Sequence, residues 1–190
     1  MSKRDDILFT ALRLFNQHGY QAVGVDRIRD EAQVSKMTLY KHFSNKEQLV
    51  EEVLKLRHHM FKESLEKAIS KSDNPLEKLR STLNWHVQWF FSKDFHGCMF
   101  IKATSEFHEA QGFLTVSKDH KDWITNLLYQ ILKEAKVEQP ESRAHLFQMA
   151  IDGMIVNASI FNSFERIESA WDELCGSCNL PRLALDNPKN

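Results

Sequence analysis

A chain of 190 residues, 42% hydrophobic and 27% charged, has room for one large domain, or for a small one attached to a larger one, of ordinary soluble composition. Six glycines and four prolines are too few for a turn-rich sheet protein and suit long helices; no apolar stretch approaches bilayer length, and no signal-peptide pattern opens the chain. The net charge of −1 hides an uneven layout, because residues 1–46 carry eight basic against five acidic side chains.

The periodicity predicts a first helix over residues 2–18, with Ile7, Leu8, Ala11, Leu12, Leu14 and Phe15 as its apolar stripe. Asp5 and Asp6 suit the positive end of its dipole, and Gly19 supplies the stop. Lys3 and Arg4 can reach a DNA backbone or fray into solvent.

Residues 25–43 read as two short helices joined by a tight turn. Val25, Ile28 and Ala32 share one face of the first. Val34 is apolar within the polar turn and plugs the space between the helices, while Ser35 is placed to cap the second. That second helix, 36–43, turns Leu39 and Phe43 inward. Its other side shows Lys36, Thr38, Lys41 and His42, with Tyr40 toward the flank. Cations, a hydroxyl and a phenol on one short exposed helix suit phosphate oxygens and base edges. From Lys36 to Lys46 there are three lysines and no acidic residue. The pattern is a helix-turn-helix whose second helix would enter the major groove of double-stranded DNA.

These residues resemble the tetracycline-repressor (TetR/AcrR) family of bacterial transcription regulators. The resemblance is carried by Ile7, Ala11, Phe15, Gly19, Tyr20, Val25, Ile28, Ala32, Val34-Ser35, Thr38-Leu39-Tyr40, His42-Phe43, Lys46-Glu47 and Leu49, about the first fifty residues. Three positions depart from the family pattern. Gln33 stands where glycine is usual, so the turn is strained or reshaped. Met37 stands where glycine or a small residue is frequent and can add an apolar contact to a thymine methyl. Arg29 replaces a usual alanine and can reach a phosphate or a nearby acid. The resemblance implies an all-α fold of about nine helices: an N-terminal three-helix helix-turn-helix domain (1–46) and a helical ligand-binding and dimerisation domain (47–181); the last residues, 182–190, read as a flexible tail. The expected DNA-binding residues are Arg27, Ser35, Lys36, Met37, Thr38, Tyr40, Lys41, His42 and Lys46.

A long helix is predicted from Lys46 to about residue 71, with Leu49, Val53, Leu56, Met60, Leu65, Ala68 and Ile69 on its apolar side. Its free N–H groups and Lys46 can hold a DNA phosphate, and the resemblance makes it the mechanical link to the reader. Ser72-Asp73-Asn74-Pro75 is a turn into an unusually aromatic helix at 75–93. Further helices follow at 98–107 and 113–136, with a turn at 108–112 between them. Trp85, His86, Trp89, Met99, Phe107, Trp123 and Met149 are the candidate lining of an effector pocket, the general kind of site for a small apolar molecule. Phe90, Phe100 and Phe147 extend the aromatic wall, and Thr104, Asn126 and Asn157 can orient the ligand. For each residue the competing reading is plain core.

Residues 141–164 are apolar nearly all round, more surface than one chain of this size covers, and a final helix is predicted at 166–180. The resemblance implies that these two helices pair with those of a second copy as a four-helix bundle. The expected protein is therefore a cytoplasmic homodimer, a repressor released from a pseudo-palindromic operator by a small apolar effector, with no cofactor.

Other chemistry is weakly signalled. Cys98 could act as an electrophile-sensing thiol, against the reading of a small buried residue, and an architectural DNA binder without effector is the other alternative. Cys175-Gly-Ser-Cys178 has CxxC spacing but no second ligand pair, which favours chance at a helix end over zinc. Three cysteines without framework spacing suit a reducing compartment. The nine histidines show no HxxxH or HExxH pair, and neither a glycine-rich phosphate loop nor GxSxG occurs, so metal binding and enzymatic activity are not expected.

Overall fold

The computed structural model describes residues 2–107 and 111–188. Among them there are nine α-helices and no strand: α1 Lys3–His18, α2 Val25–Glu31, α3 Lys36–His42, α4 Lys46–Ile69, α5 Pro75–Phe90, α6 Met99–Glu106, α7 Gln111–Glu134, α8 Pro140–Phe161 and α9 Phe164–Ser177. The expected turn at 108–112 falls partly outside the described residues; Gln111 and Gly112 already belong to α7. The chain divides into two compact units, Met1–Phe61 with Cys98–His120, and Lys62–Gly97 with Lys121–Asn190. α6 and the start of α7 thus belong to the unit that holds the helix-turn-helix, and α4 and α7 each contribute to both units.

The first unit is built on local signals. A capping box at Ser2 and Asp5 starts α1, whose Ile7, Leu8, Ala11, Leu14 and Phe15 are buried. The carboxyl of Asp5 is held below its usual range chiefly by the backbone N–H of Ser2. Tyr20, Val23, Ile28, Leu39, Phe43, Leu49, Val50 and Val53 complete the core. Arg4 does not fray, although its side chain stays partly exposed: its guanidinium pairs with Glu52 at 2.5 Å and lies 5.5 Å from the Phe43 ring centroid, tying α1 to α4. Within this unit the His120 ring stacks on Phe100 at 3.7 Å, and its Nδ1 lies 3.0 Å from Nδ1 of His58, so one imidazole donates to the other.

The second unit packs α5 against α8, and α8 against α9. Asn74 caps α5 through Leu76 N–H, with Pro75 in the first turn where its missing N–H costs nothing. α8 buries Ala144, Phe147, Ile151, Met154, Ile155 and Ala158, and Phe147 meets Trp171 of α9 edge-on at 5.3 Å. The opposite side of α8 leaves Leu146, Met149, Val156, Ile160 and Phe161 exposed. Lys121 of α7 and Asp152 of α8 form an ion pair, and Gln148 donates to the same carboxylate at 2.5 Å.

Of the segment expected as a flexible tail, residues 182–188 are tied down, and 189 and 190 lie outside the described residues. Leu183 and Leu185 are buried, and the Leu183 carbonyl accepts the indole N–H of Trp171 at 3.1 Å. Asp186 and Asn84 exchange two hydrogen bonds, of 2.9 and 3.0 Å, while Arg80 lies 3.2 Å from the Asp186 carboxylate. Two leucines and a backbone acceptor in this short stretch give it something to bury, which a solvated tail lacks.

Candidate DNA interface and effector site

Ser35 fixes the start of the recognition helix. Its Oγ accepts the Thr38 N–H at 3.0 Å and lies 2.8 Å from the Thr38 hydroxyl, so both side chains are engaged in the cap. The preceding turn is made by Gln33 at φ +53°, where glycine would be unstrained and a side chain costs about 1 kcal/mol. Leu39 anchors α3 from beneath, and Val34 is half-buried in the turn. Lys36, Met37, Tyr40 and Lys41 are left exposed, Met37 at 81%. An apolar side chain that open has no packing role in the fold. His42 is half-buried beside Phe43, its ring 6.4 Å away.

The remaining cations divide by partner. Arg27 donates from Nε to Glu31 at 2.8 Å and from Nη2 to His18 Nε2 at 3.2 Å, while Arg13 reaches the other Glu31 oxygen at 2.5 Å. These two guanidinium groups, Arg13 first, hold the Glu31 carboxyl below its usual range. Arg29 takes the nearby-acid option, pairing with Asp26 and Asp30 at 2.7 Å each. Lys46 opens α4 half-buried, and that burial lowers its pKa against the opposing pull of Glu106. The α4 N-terminus is partly occupied, since Asn45 already accepts the Gln48 N–H at 2.8 Å.

Sequence reasoning misses Glu106. Its Oε2 accepts the backbone N–H groups of Tyr20 and Gln21 at 2.9 and 2.7 Å, just beyond the end of α1. Only the pairing across eighty-odd residues reveals the role, and no local pattern announces it.

The effector candidates fall into both units. Met99 and Phe107 lie with the reader: the Met99 carbonyl accepts the Tyr20 hydroxyl at 3.0 Å, and the Phe107 ring is 5.8 Å from that of Tyr20. Trp85, His86 and Trp89 sit together in the second unit, with ring separations of 5.1, 6.1 and 6.4 Å. Trp85 Nε1 donates to Ser64 at 2.9 Å. Trp123 is half-buried under Lys62, whose ammonium is 5.9 Å from its ring. Met149 does not join them. It is 65% exposed on the outer side of α8, because a helix apolar nearly all round gives no periodic cue to which side turns inward. Asn126 borders a separate open groove of about 370 Å³, shared with Asp122, Thr125, Tyr129, Glu141, Ala144 and His145.

His86 is buried, and Nδ1 donates to the Thr82 carbonyl at 2.7 Å. Burial pushes its pKa down to about 4, Lys121 lowers it further, and the Thr82 carbonyl and Asp152 oppose the shift. The unfolded imidazole takes its proton near pH 6.5 and the folded one only near pH 4, so the unfolded state binds more protons between those values. Stability is therefore lost as pH falls through that window. By pH 5 the expected loss at this one residue is about 2 kcal/mol. Urea unfolding at pH 7.5 and 5.0 checks it: His86→Gln should be less acid-sensitive than the wild type by that amount, and equal acid sensitivity overturns the assignment.

Cys98 is buried, as are Cys175 and Cys178, and all three are free. Burial pushes the Cys175 thiol up to about 12, with Cys178 and Asp172 adding to the shift. Among the described residues, no group of three or more His, Cys, Asp or Glu is placed to hold a metal ion, and no helix is long and apolar enough to cross a membrane.

Comparison with known proteins places this geometry. Residues 7–53 match the family described as bacterial regulatory proteins, tetR family. Over 135 residues the chain is 30% identical to the HTH-type transcriptional activator FasR of Mycolicibacterium smegmatis, covering 71% of this chain and 52% of that protein. It is 37% identical over 78 residues to the transcriptional repressor KstR2 of the same organism, covering 41% of this chain and 38% of that one. The matches thus span about half or less of these curated relatives. The crystal structure of SCO4454, a TetR-family transcriptional regulator from Streptomyces coelicolor, superposes with a TM-score of 0.86 at 26% identity over 93% of this chain and 94% of that one. With the helix-turn-helix matched in sequence and the helical fold matched nearly end to end, the chain belongs to the TetR family of bacterial regulatory proteins.

Proposed function

We propose that this protein regulates transcription by binding a pseudo-palindromic operator as a homodimer, and that a small, largely apolar effector releases it. The observation that carries the DNA reading is the recognition helix, capped at Ser35, anchored by Leu39 and presenting Lys36, Met37, Tyr40 and Lys41 to solvent. Lys36 is assigned to a base edge, Met37 to a thymine methyl, and Tyr40, Lys41 and Lys46 to phosphates. Ser35 and Thr38 hold the helix start, His42 flanks it, and Arg27 must exchange Glu31 for phosphate to take part. Two-fold symmetry would set the two readers about 34–36 Å apart or at a multiple of that spacing.

The exposed apolar row on α8 supports the dimer, and the ring cluster of Trp85, His86 and Trp89 supports an apolar effector. A repressor is the favoured direction, although the similar proteins include both an activator and a repressor. A coupling of about 1–3 kcal/mol would change operator affinity roughly 5–150-fold, and operator must weaken effector binding by the same factor. Sequencing the genomic fragments enriched by the pure protein tests the reading. It predicts a few sites with inverted half-site symmetry, bound in gel shifts far more tightly than random duplex. Enrichment without sequence preference would leave an architectural binder instead.

A further inference from the structure

α6 ends in a carboxylate, the wrong sign for the negative end of a helix dipole. Glu106 is kept there by what it holds. Gly19 ends α1, and the next two backbone N–H groups, of Tyr20 and Gln21, have left the helix without an acceptor inside it. Both point at Glu106 Oε2, a pair of charge-assisted bonds. The Gln21 amide returns a bond to the Glu106 carbonyl at 3.2 Å. Farther up α6, Lys102 Nζ donates to the Asn16 carbonyl at 3.0 Å, and the Tyr20 hydroxyl donates to the Met99 carbonyl at the start of the helix.

The fit at Gly19 is close. Its φ is +81°, which favours glycine, and a Cβ there would come within 2.9 Å of Glu106 Oε1 and push the carboxylate aside. The same carboxylate acts electrostatically on Lys46 at the head of α4 and on Lys102. One carboxylate therefore addresses the end of α1, the loop into α2 and the start of α4, the three places where the reader joins its support.

We propose that Glu106 is the positioning residue of the DNA reader. Its carboxylate clasps the α1–α2 loop to α6 and so sets the orientation at which the recognition helix is presented. A shift of α6 reaches the reader through this clasp. The inference rests on the DNA-binding reading above and goes beyond it by naming the joint.

The test uses the full chain, the duplex selected by the wild type, and a random duplex of equal length. Glu106→Gln keeps the length but can no longer accept both amides with a charged oxygen. Expected results are faster hydrogen exchange at the Tyr20 and Gln21 amides and about tenfold weaker binding to the selected duplex. Random-duplex affinity should stay within about twofold, since a swung reader keeps its lysines but loses its register. A clasp that only stabilises the fold would move exchange and the unfolding midpoint and leave the selected-to-random ratio alone. Tyr20→Phe loses only the hydroxyl bond to Met99, keeps the ring, and should lower the same ratio about threefold. A ratio unchanged in both variants overturns the proposal. A wild type that binds no duplex overturns the DNA reading itself, a different result from a wild type and variants that bind alike.

Discussion

Replacing Met149 and Ile160 together by aspartate should convert the protein to monomers and lower operator affinity by about 10²–10⁴-fold, the advantage of tethering two readers. Both side chains are about two-thirds exposed, at 65% and 66%, so the isolated fold has little to lose from the change. They lie in a row with Leu146, Gly153 and Val156, spaced three or four residues apart along α8. A second copy of the row would fill it, and charge facing charge across the two-fold axis would prevent that. A methyl group placed on Gly153 would meet no atom within 4 Å, which leaves room for close helix approach. α9 turns Phe164, Ile167, Trp171 and Leu174 inward, so the weight of the expected four-helix contact falls on α8. Sedimentation velocity at micromolar concentration and gel shifts on the same preparation check both halves. A variant that stays dimeric, or a monomer that holds the operator unchanged, refutes the assignment; circular dichroism should show unaltered helix content.

The next largest effect is expected at the recognition helix. Lys36→Ala should cost about 1–3 kcal/mol per half-site if Lys36 meets a guanine edge, doubled in a symmetric dimer, and should relax preference at one base pair of each half-site. Lys46→Ala should instead weaken all duplexes alike and reduce the salt slope by about 2 per dimer, one phosphate per reader. Tyr40→Ala should weaken binding without altering that slope, because a phenol releases no counterion. The three variants thus separate on two axes, sequence preference and salt dependence. Titrations against a randomised operator at several salt concentrations resolve them, and unchanged affinity in all three would remove α3 from the DNA interface.

The helix-turn-helix is legible in the sequence because its determinants are neighbours. Ser35 caps three residues ahead, Gly19 ends the helix it follows, and Leu39 and Phe43 repeat at one helical turn. The departures at Gln33 and Arg29 also have local outcomes, a left-handed backbone and two short ion pairs. The partners of Arg4 and Glu106 are not legible, since each lies tens of residues away and depends on where the chain returns. The same limit hides the placement of α6 with the reader. Met149 escapes the sequence for another reason: hydrophobicity marks what avoids water and is silent on which side a partner would supply.

The pinned C-terminal segment bears on how the protein can be handled and labelled. Removing residues 182–188 would strip the Trp171 indole of its acceptor, take away two buried leucines and so uncover the apolar surface beneath them, and release Asn84 and Arg80 of α5 from Asp186. A shortened chain would then carry an exposed apolar scar on the second unit, and its altered solubility could pass for a defect in regulation. An affinity tag or fluorophore is better joined beyond Pro188 through a flexible spacer, where it leaves the Asp186 contacts in place.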